Sequence, residues 1–154
     1  MPDVCYEDLP VGFSSRSAVA YQVTEEEIIE FGRRFDPRPF HTDPQLASDL
    51  VFDGLVAPGC LVFAIRSALL NRLPLRPAYL AGLGLENMDL PKAVRPGDQL
   101  SLRIECLARR ESTSRANAGI MRFGNTLFNQ RDEIVMTLTA IVLVAKRRVS
   151  ELKS

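Results

Sequence analysis

Histidine, cysteine, unbalanced charge and long apolar runs are all scarce in this chain. Its 154 residues include a single histidine, His41, and three cysteines, Cys5, Cys60 and Cys106. An odd number of widely spaced cysteines, none near a second histidine, suggests neither a disulfide framework nor a zinc site. A reducing compartment, and no metal, are therefore expected. Nineteen basic and nineteen acidic residues cancel, and no basic block or interleaving of aromatics with Lys and Arg offers a nucleic-acid surface. No stretch approaches the roughly 18 apolar residues of a membrane span. The N-terminal MPDVCYEDLPVGFSS lacks the basic region and apolar stretch of a signal peptide. The expected setting is the cytoplasm, with neither nucleic acid nor membrane as partner. Repeats, low-complexity tracts and linkers are also missing. A composition of 46% hydrophobic and 25% charged residues then implies one domain over residues 1–154, large enough for one core.

What is present reads as an α+β order. SAVAYQVT puts Val19, Tyr21 and Val23 on one face, the period of a half-buried strand. In TEEEIIEF, Thr24 stands three residues before Glu27 at capping-box spacing, and Ile28, Phe31 and Phe35 follow at helical intervals. That helix stops before Pro37. Asp43 is placed to cap a second short helix with Pro44 at its first position. From Gly59, GCLVFAIRSALLNRL is apolar nearly all round, with a narrow polar stripe through Arg66, Ser67 and Asn71, so it should be a buried helix. YLAGLGLENMDL, QLSLRIECLARR, RANAGIMRFG and EIVMTLTAIVLVAKR then alternate as strands. The turns PGD at 96–98 and NQRDE at 129–133 are too short for crossover helices, so the strands they join should be antiparallel neighbours. These elements can build an antiparallel sheet of about five strands around one central helix. Its open edges favour pairing of two copies, and a homodimer is expected.

Chemistry concentrates in FDPRPFHTDPQ, from Phe35 to Gln45, which carries Asp36 and the lone His41. Pro37 and Pro39 push Asp36 and Arg38 towards extended backbone, which predicts a shaped loop. On its own, the pair reads more readily as a turn-forming aspartate and a packed or solvated ring. Downstream, FDGLVAPGCLV sets Gly59 at the start of the buried helix, where unpaired N–H groups and a missing Cβ suit an oxygen that gains negative charge. Gly59 has its own plain reading, as the residue that turns the chain into the helix. An imidazole, a carboxylate and a backbone oxyanion donor together make a constellation for chemistry at a polarised carbonyl.

FDPRPFHTDPQLA and GLVAPGC, with YEDLPVGF, VRPGDQLSLRIE and NQRDEIVM, resemble the MaoC-like dehydratases. That family includes the (R)-specific enoyl-CoA hydratases of hot-dog fold. Its pattern is an Asp, four residues commonly holding Asn-Pro or Gln-Pro, a His, and later a Gly that opens the central helix. The resemblance spans nearly the whole chain. It implies Asp36 and His41 as the catalytic pair, the Gly59 N–H as donor to a thioester carbonyl, and reversible syn addition of water to a 2-enoyl-CoA. It also implies a dimer, with no cofactor beyond the CoA thioester substrate. Arg38 replaces the usual Asn or Gln and Pro58 the usual small residue or His. With Cys60, these two are the expected substrate contacts. Two other readings stay open, an acyl-CoA thioesterase and a non-catalytic acyl-CoA-binding or assembly subunit.

Overall fold

The computed structural model describes residues 3–148. The chain enters through β1 (Asp3–Val4), β2 (Ser14–Arg16) and β3 (Tyr21–Gln22). Four helices follow: α1 (Glu25–Phe35), α2 (Pro39–Thr42), α3 (Pro44–Ala47) and α4 (Gly59–Leu70). After β4 (Arg76–Pro77) come the long strands β5 (Tyr79–Asp89), β6 (Gln99–Glu111), β7 (Ala118–Phe128) and β8 (Ile134–Ala145).

The helix starts follow from their caps. Thr24 Oγ1 accepts from the Glu27 N–H at 3.2 Å. Three glutamates in the first turn of α1 and Arg33 and Arg34 in the last suit the helix dipole. The reciprocal half of the capping box does not form, because the Glu27 carboxylate accepts instead from the Tyr21 hydroxyl. Asp43 Oδ1 accepts from the N–H groups of Gln45 and Leu46, and Pro44 opens α3. Of the expected apolar face of α1, Ile28 is buried but Phe35 is exposed, lying against Phe31.

All pairings within the main sheet are antiparallel, in the order β2-β6-β7-β8-β5, with β3 also on β6. Leu61, Val62, Ile65 and Leu69 of α4 are buried, as are Leu100, Leu102 and Ile104 of β6 and Met121 and Phe123 of β7. Each such side chain contributes about 1.5–3 kcal/mol on leaving water, so this layer between α4 and the sheet dominates the stability of the fold. The arrangement is the α+β hot-dog fold expected from the sequence.

The six strands of the main sheet agree with the expected sheet of about five. Three local expectations are corrected. SAVAYQVT forms a strand only at Tyr21–Gln22, because Ser17 binds both backbone groups of Leu102, donating its N–H and accepting with Oγ. That breaks the ladder, and Val19 is 68% exposed. Second, β5 and β6 are not neighbours. β5 pairs with β8 at the far edge, and residues 90–98 cross back to β6. The expected turn exists, with Gly97 at φ 87°, yet it sits inside this crossing. There Asp98 accepts from the Arg95 N–H and from Gln130, while the Gly97 N–H donates to Val23. The 129–133 turn does make the expected β7–β8 hairpin. Third, Pro39–Thr42 is a short helix and not a loop, since Pro39 occupies its first position, where its missing N–H costs nothing. The helix α4 is buried as expected, and Arg66 on its polar stripe is buried with it.

Candidate active site

Asp36 ends α1, its N–H donating to the Gly32 carbonyl at 2.9 Å. Pro37 prevents the helix from continuing, and Arg38, extended at φ −87° and ψ 147°, leads into α2. His41 in α2 is thereby brought back over the end of α1. The crossing is close. A Cβ built on Gly32 would stand 2.8 Å from the His41 carbonyl oxygen and 3.0 Å from its Cβ, so α1 needs glycine there.

The imidazole is 6% exposed. Its Nδ1 lies 2.7 Å from the Val56 carbonyl oxygen, an atom that can only accept, so Nδ1 carries a proton. Nε2 stands 3.4 Å from Asp36 Oδ2. The other carboxylate oxygen, Oδ1, accepts from Arg38 Nε at 2.9 Å. The imidazole Nε2 and the carboxylate Oδ2 therefore face one another, close enough for one small molecule to bridge both.

Residues 55–57 bridge this pair to α4. The Val56 N–H donates to the Phe40 carbonyl at 2.9 Å, and the Ala57 N–H to Val94 at 2.9 Å. Pro58 caps α4, its carbonyl accepting from the N–H groups of Leu61 and Val62. At the first position of α4 the N–H of Gly59 has no intrahelical acceptor. His41 and Gly59 open onto one cavity of about 250 Å³, walled by Phe40, Val56, Leu90 and Lys92. A Cβ on Gly59 would come 2.8 Å from Leu90 Cδ1, so the space above this N–H is narrow. Lys92 pairs with Glu133, whose carboxyl the hydrogen bonds from Lys92, Arg131 and Asn129 pull down to about 2. This ties the wall of the cavity to the β7–β8 turn.

Asp36, His41 and Arg38 thus meet at one end of the site, and Gly59 shares the cavity with His41. Asp36 touches that cavity only through His41. Pro58 and Cys60 do not line it. Pro58 is buried behind the helix start, and Cys60 is exposed. Arg38 faces Asp36 with its side chain 66% exposed. The sequence missed Val56, Gly32 and Leu90. For Gly32 a signal existed, a glycine inside a helical pattern. Among the described residues no group of three His, Cys, Asp or Glu side chains is placed to hold a metal ion, and no helix is long and apolar enough to cross a membrane.

Residues 10–124 match the model of the MaoC like domain, a span that contains Asp36, His41 and Gly59. The chain is 28% identical over 126 residues to the uncharacterized protein YdeM of Bacillus subtilis, covering 81% of this chain and 88% of the relative. The crystal structure of a MaoC-like dehydratase from Rhodospirillum rubrum superposes with a TM-score of 0.88 at 36% identity, covering 95% of this chain and 99% of the other. An (R)-hydratase from A. caviae involved in PHA biosynthesis superposes at 0.70 with 25% identity, over 88% and 97% of the two chains. With this fold, this family match and this likeness to dehydratases and hydratases, the chain belongs to the MaoC-like dehydratase family.

Proposed function

We propose that the protein is a hydratase–dehydratase of acyl-CoA thioesters, adding water reversibly and syn across a 2-enoyl-CoA to give a 3-hydroxyacyl-CoA. The observation that carries this reading is the facing pair His41 Nε2 and Asp36 Oδ2, 3.4 Å apart, beside a cavity that His41 and Gly59 both line. The (R)-hydratase of A. caviae has the same fold and supports it further.

One water donating a hydrogen to each acceptor would turn its lone pairs outward, which makes it a nucleophile. Its oxygen adds to C3 as one of its protons passes to the pair. The same proton is returned to C2 from the same face, so addition is syn and the net change is one water gained. Negative charge collects on the thioester oxygen in between, and the Gly59 N–H at the positive end of α4 stabilises it. Positioned acid/base groups contribute about 10²–10⁴ in rate and one oxyanion donor about 10²–10³. Arg38 orients the carboxylate through Oδ1, leaving Oδ2 for the water.

The protein would work as a cytoplasmic homodimer without a cofactor. The exposed, apolar β5 edge supports the dimer. Incubation of the purified protein with short, medium, branched and carboxylated 2-enoyl-CoAs tests the function. Hydration removes the conjugated absorbance and releases no thiol. Thiol release would identify a thioesterase, and ligand binding without turnover a non-catalytic subunit.

A further inference from the structure

Along α4, Gly59, Phe63, Arg66 and Leu70 fall on one stripe at helical spacing. Beside it, between α4 and β5, lies a second cavity of about 570 Å³ walled mainly by Phe63, Leu70, Leu80, Leu83 and Ile141. It is apolar apart from Arg66 and Tyr79. Arg66 is 7% exposed, and its Nε donates to Asn125 Oδ1 at 2.8 Å. The guanidinium also lies 5.2 Å from the Phe63 ring centroid. Among the described residues no carboxylate pairs with it. Burial draws its pKa down and raises that of Tyr79, yet a guanidinium stays charged at neutral pH. A buried cation with one neutral partner is costly to keep. An apolar residue of similar size would fill the same space, so its presence calls for an anion.

The position limits which anion. Arg66 is seven residues, or roughly 10 Å of helix rise, from Gly59 on the same stripe. Leu90, just past β5, lies beside Gly59, and Tyr79, at the start of β5, lines the second cavity with Arg66 and Leu70. The first cavity thus stands at the Gly59 end of this stripe of α4 and the second, a separate space, at its Arg66 end. We propose that Arg66 receives the terminal carboxylate of the acyl group, so that the substrates are CoA thioesters of dicarboxylic acids. This rests on the acyl-thioester reading of Asp36, His41 and Gly59, and it assigns Arg66 to specificity and not to the chemical step. Nε stays with Asn125, which fixes the plane of the guanidinium, and the two Nη groups are left for a bidentate carboxylate.

The test uses saturated thioesters, which bind but cannot be hydrated. Calorimetry compares adipoyl-CoA with its uncharged isostere, 6-methylheptanoyl-CoA, on the wild-type protein and on Arg66→Met and Arg66→Lys. The expected result is at least tenfold tighter binding of adipoyl-CoA to the wild type, with the preference lost in Arg66→Met and reduced in Arg66→Lys. The wild-type comparison stands even where a variant fails to fold. Equal affinities, a preference that survives in Arg66→Met, or binding of neither probe would overturn the proposal. Equal affinities together with loss of self-association in Arg66→Met would show that a second copy supplies the anion, which also overturns it. Selective binding without turnover of enoyl-CoAs would instead sink the hydratase reading alone, and hydration without charge preference would sink only this one.

Discussion

His41 owes its orientation to Val56, fifteen positions along the chain, whose carbonyl holds Nδ1. The closeness of Asp36 and His41 could be read from the sequence because both lie on one proline-bounded segment. Val56 could not, because that contact exists only once residues 55–57 have folded back over α2. The same contact gives a mutation at His41 a cost in folding. The ring is buried, so His41→Ala leaves the Val56 carbonyl without its donor, at a cost of about 1–3 kcal/mol, whereas asparagine keeps a side-chain N–H for it. Gly32 is the other residue of this kind. Alanine would normally favour a helix interior by up to about 1 kcal/mol over glycine. Here the added Cβ meets the His41 backbone, which cannot yield cheaply, and overpacking costs about 1–3 kcal/mol. Gly32→Ala is therefore expected to lower both the melting temperature and the turnover of enoyl-CoA. A displacement of His41 by about 1 Å can cost ~10² in rate. A variant that melts higher and turns over normally would show that the α1–α2 contact does not position the imidazole.

Among the elements, α1, α3, α4 and the four long strands were legible, because caps and periodicity are local signals. The place of β5 was not. Its turn residues suggested a hairpin with β6, but β6 is already paired on both sides, by β7 and by β2 with β3. Competition for strand edges is settled by the whole sheet, which no local pattern reports. As a result β5 has one edge unpaired among the described residues, and its Leu80, Leu83, Leu85 and Met88 are exposed. Short β2 and β3 blunt the opposite edge, whereas a long apolar edge invites pairing. A second copy joined antiparallel along β5 would satisfy it by a two-fold interface. Leu83, 52% exposed, is the residue with which to test this. Light scattering at micromolar concentration should give a dimer mass for the wild type and a monomer mass for Leu83→Lys. A wild-type monomer would remove the case for a dimer.

At the scale of the molecule, the hot-dog fold makes a site from parts that are far apart in sequence. α4 supplies an N-terminus fixed by the core around it, residues 55–57 tie that end to α2, and the 90–98 crossing closes the cavity. Asp36 and His41 belong to none of the core layers and are held against it by backbone hydrogen bonds, so the acid/base pair can be altered while the fold persists. The central claim is that the pair acts as one unit on one water. Turnover of a 2-enoyl-CoA by Asp36→Asn, His41→Asn and the double variant, each checked for folding by its melting temperature, tests it most directly. Each single variant should lose about 10²–10⁴ in rate, and the double variant should be little worse than either, because groups that act together do not add when removed. Losses that multiply in the double variant, or near-normal rates in both single ones, would contradict the account.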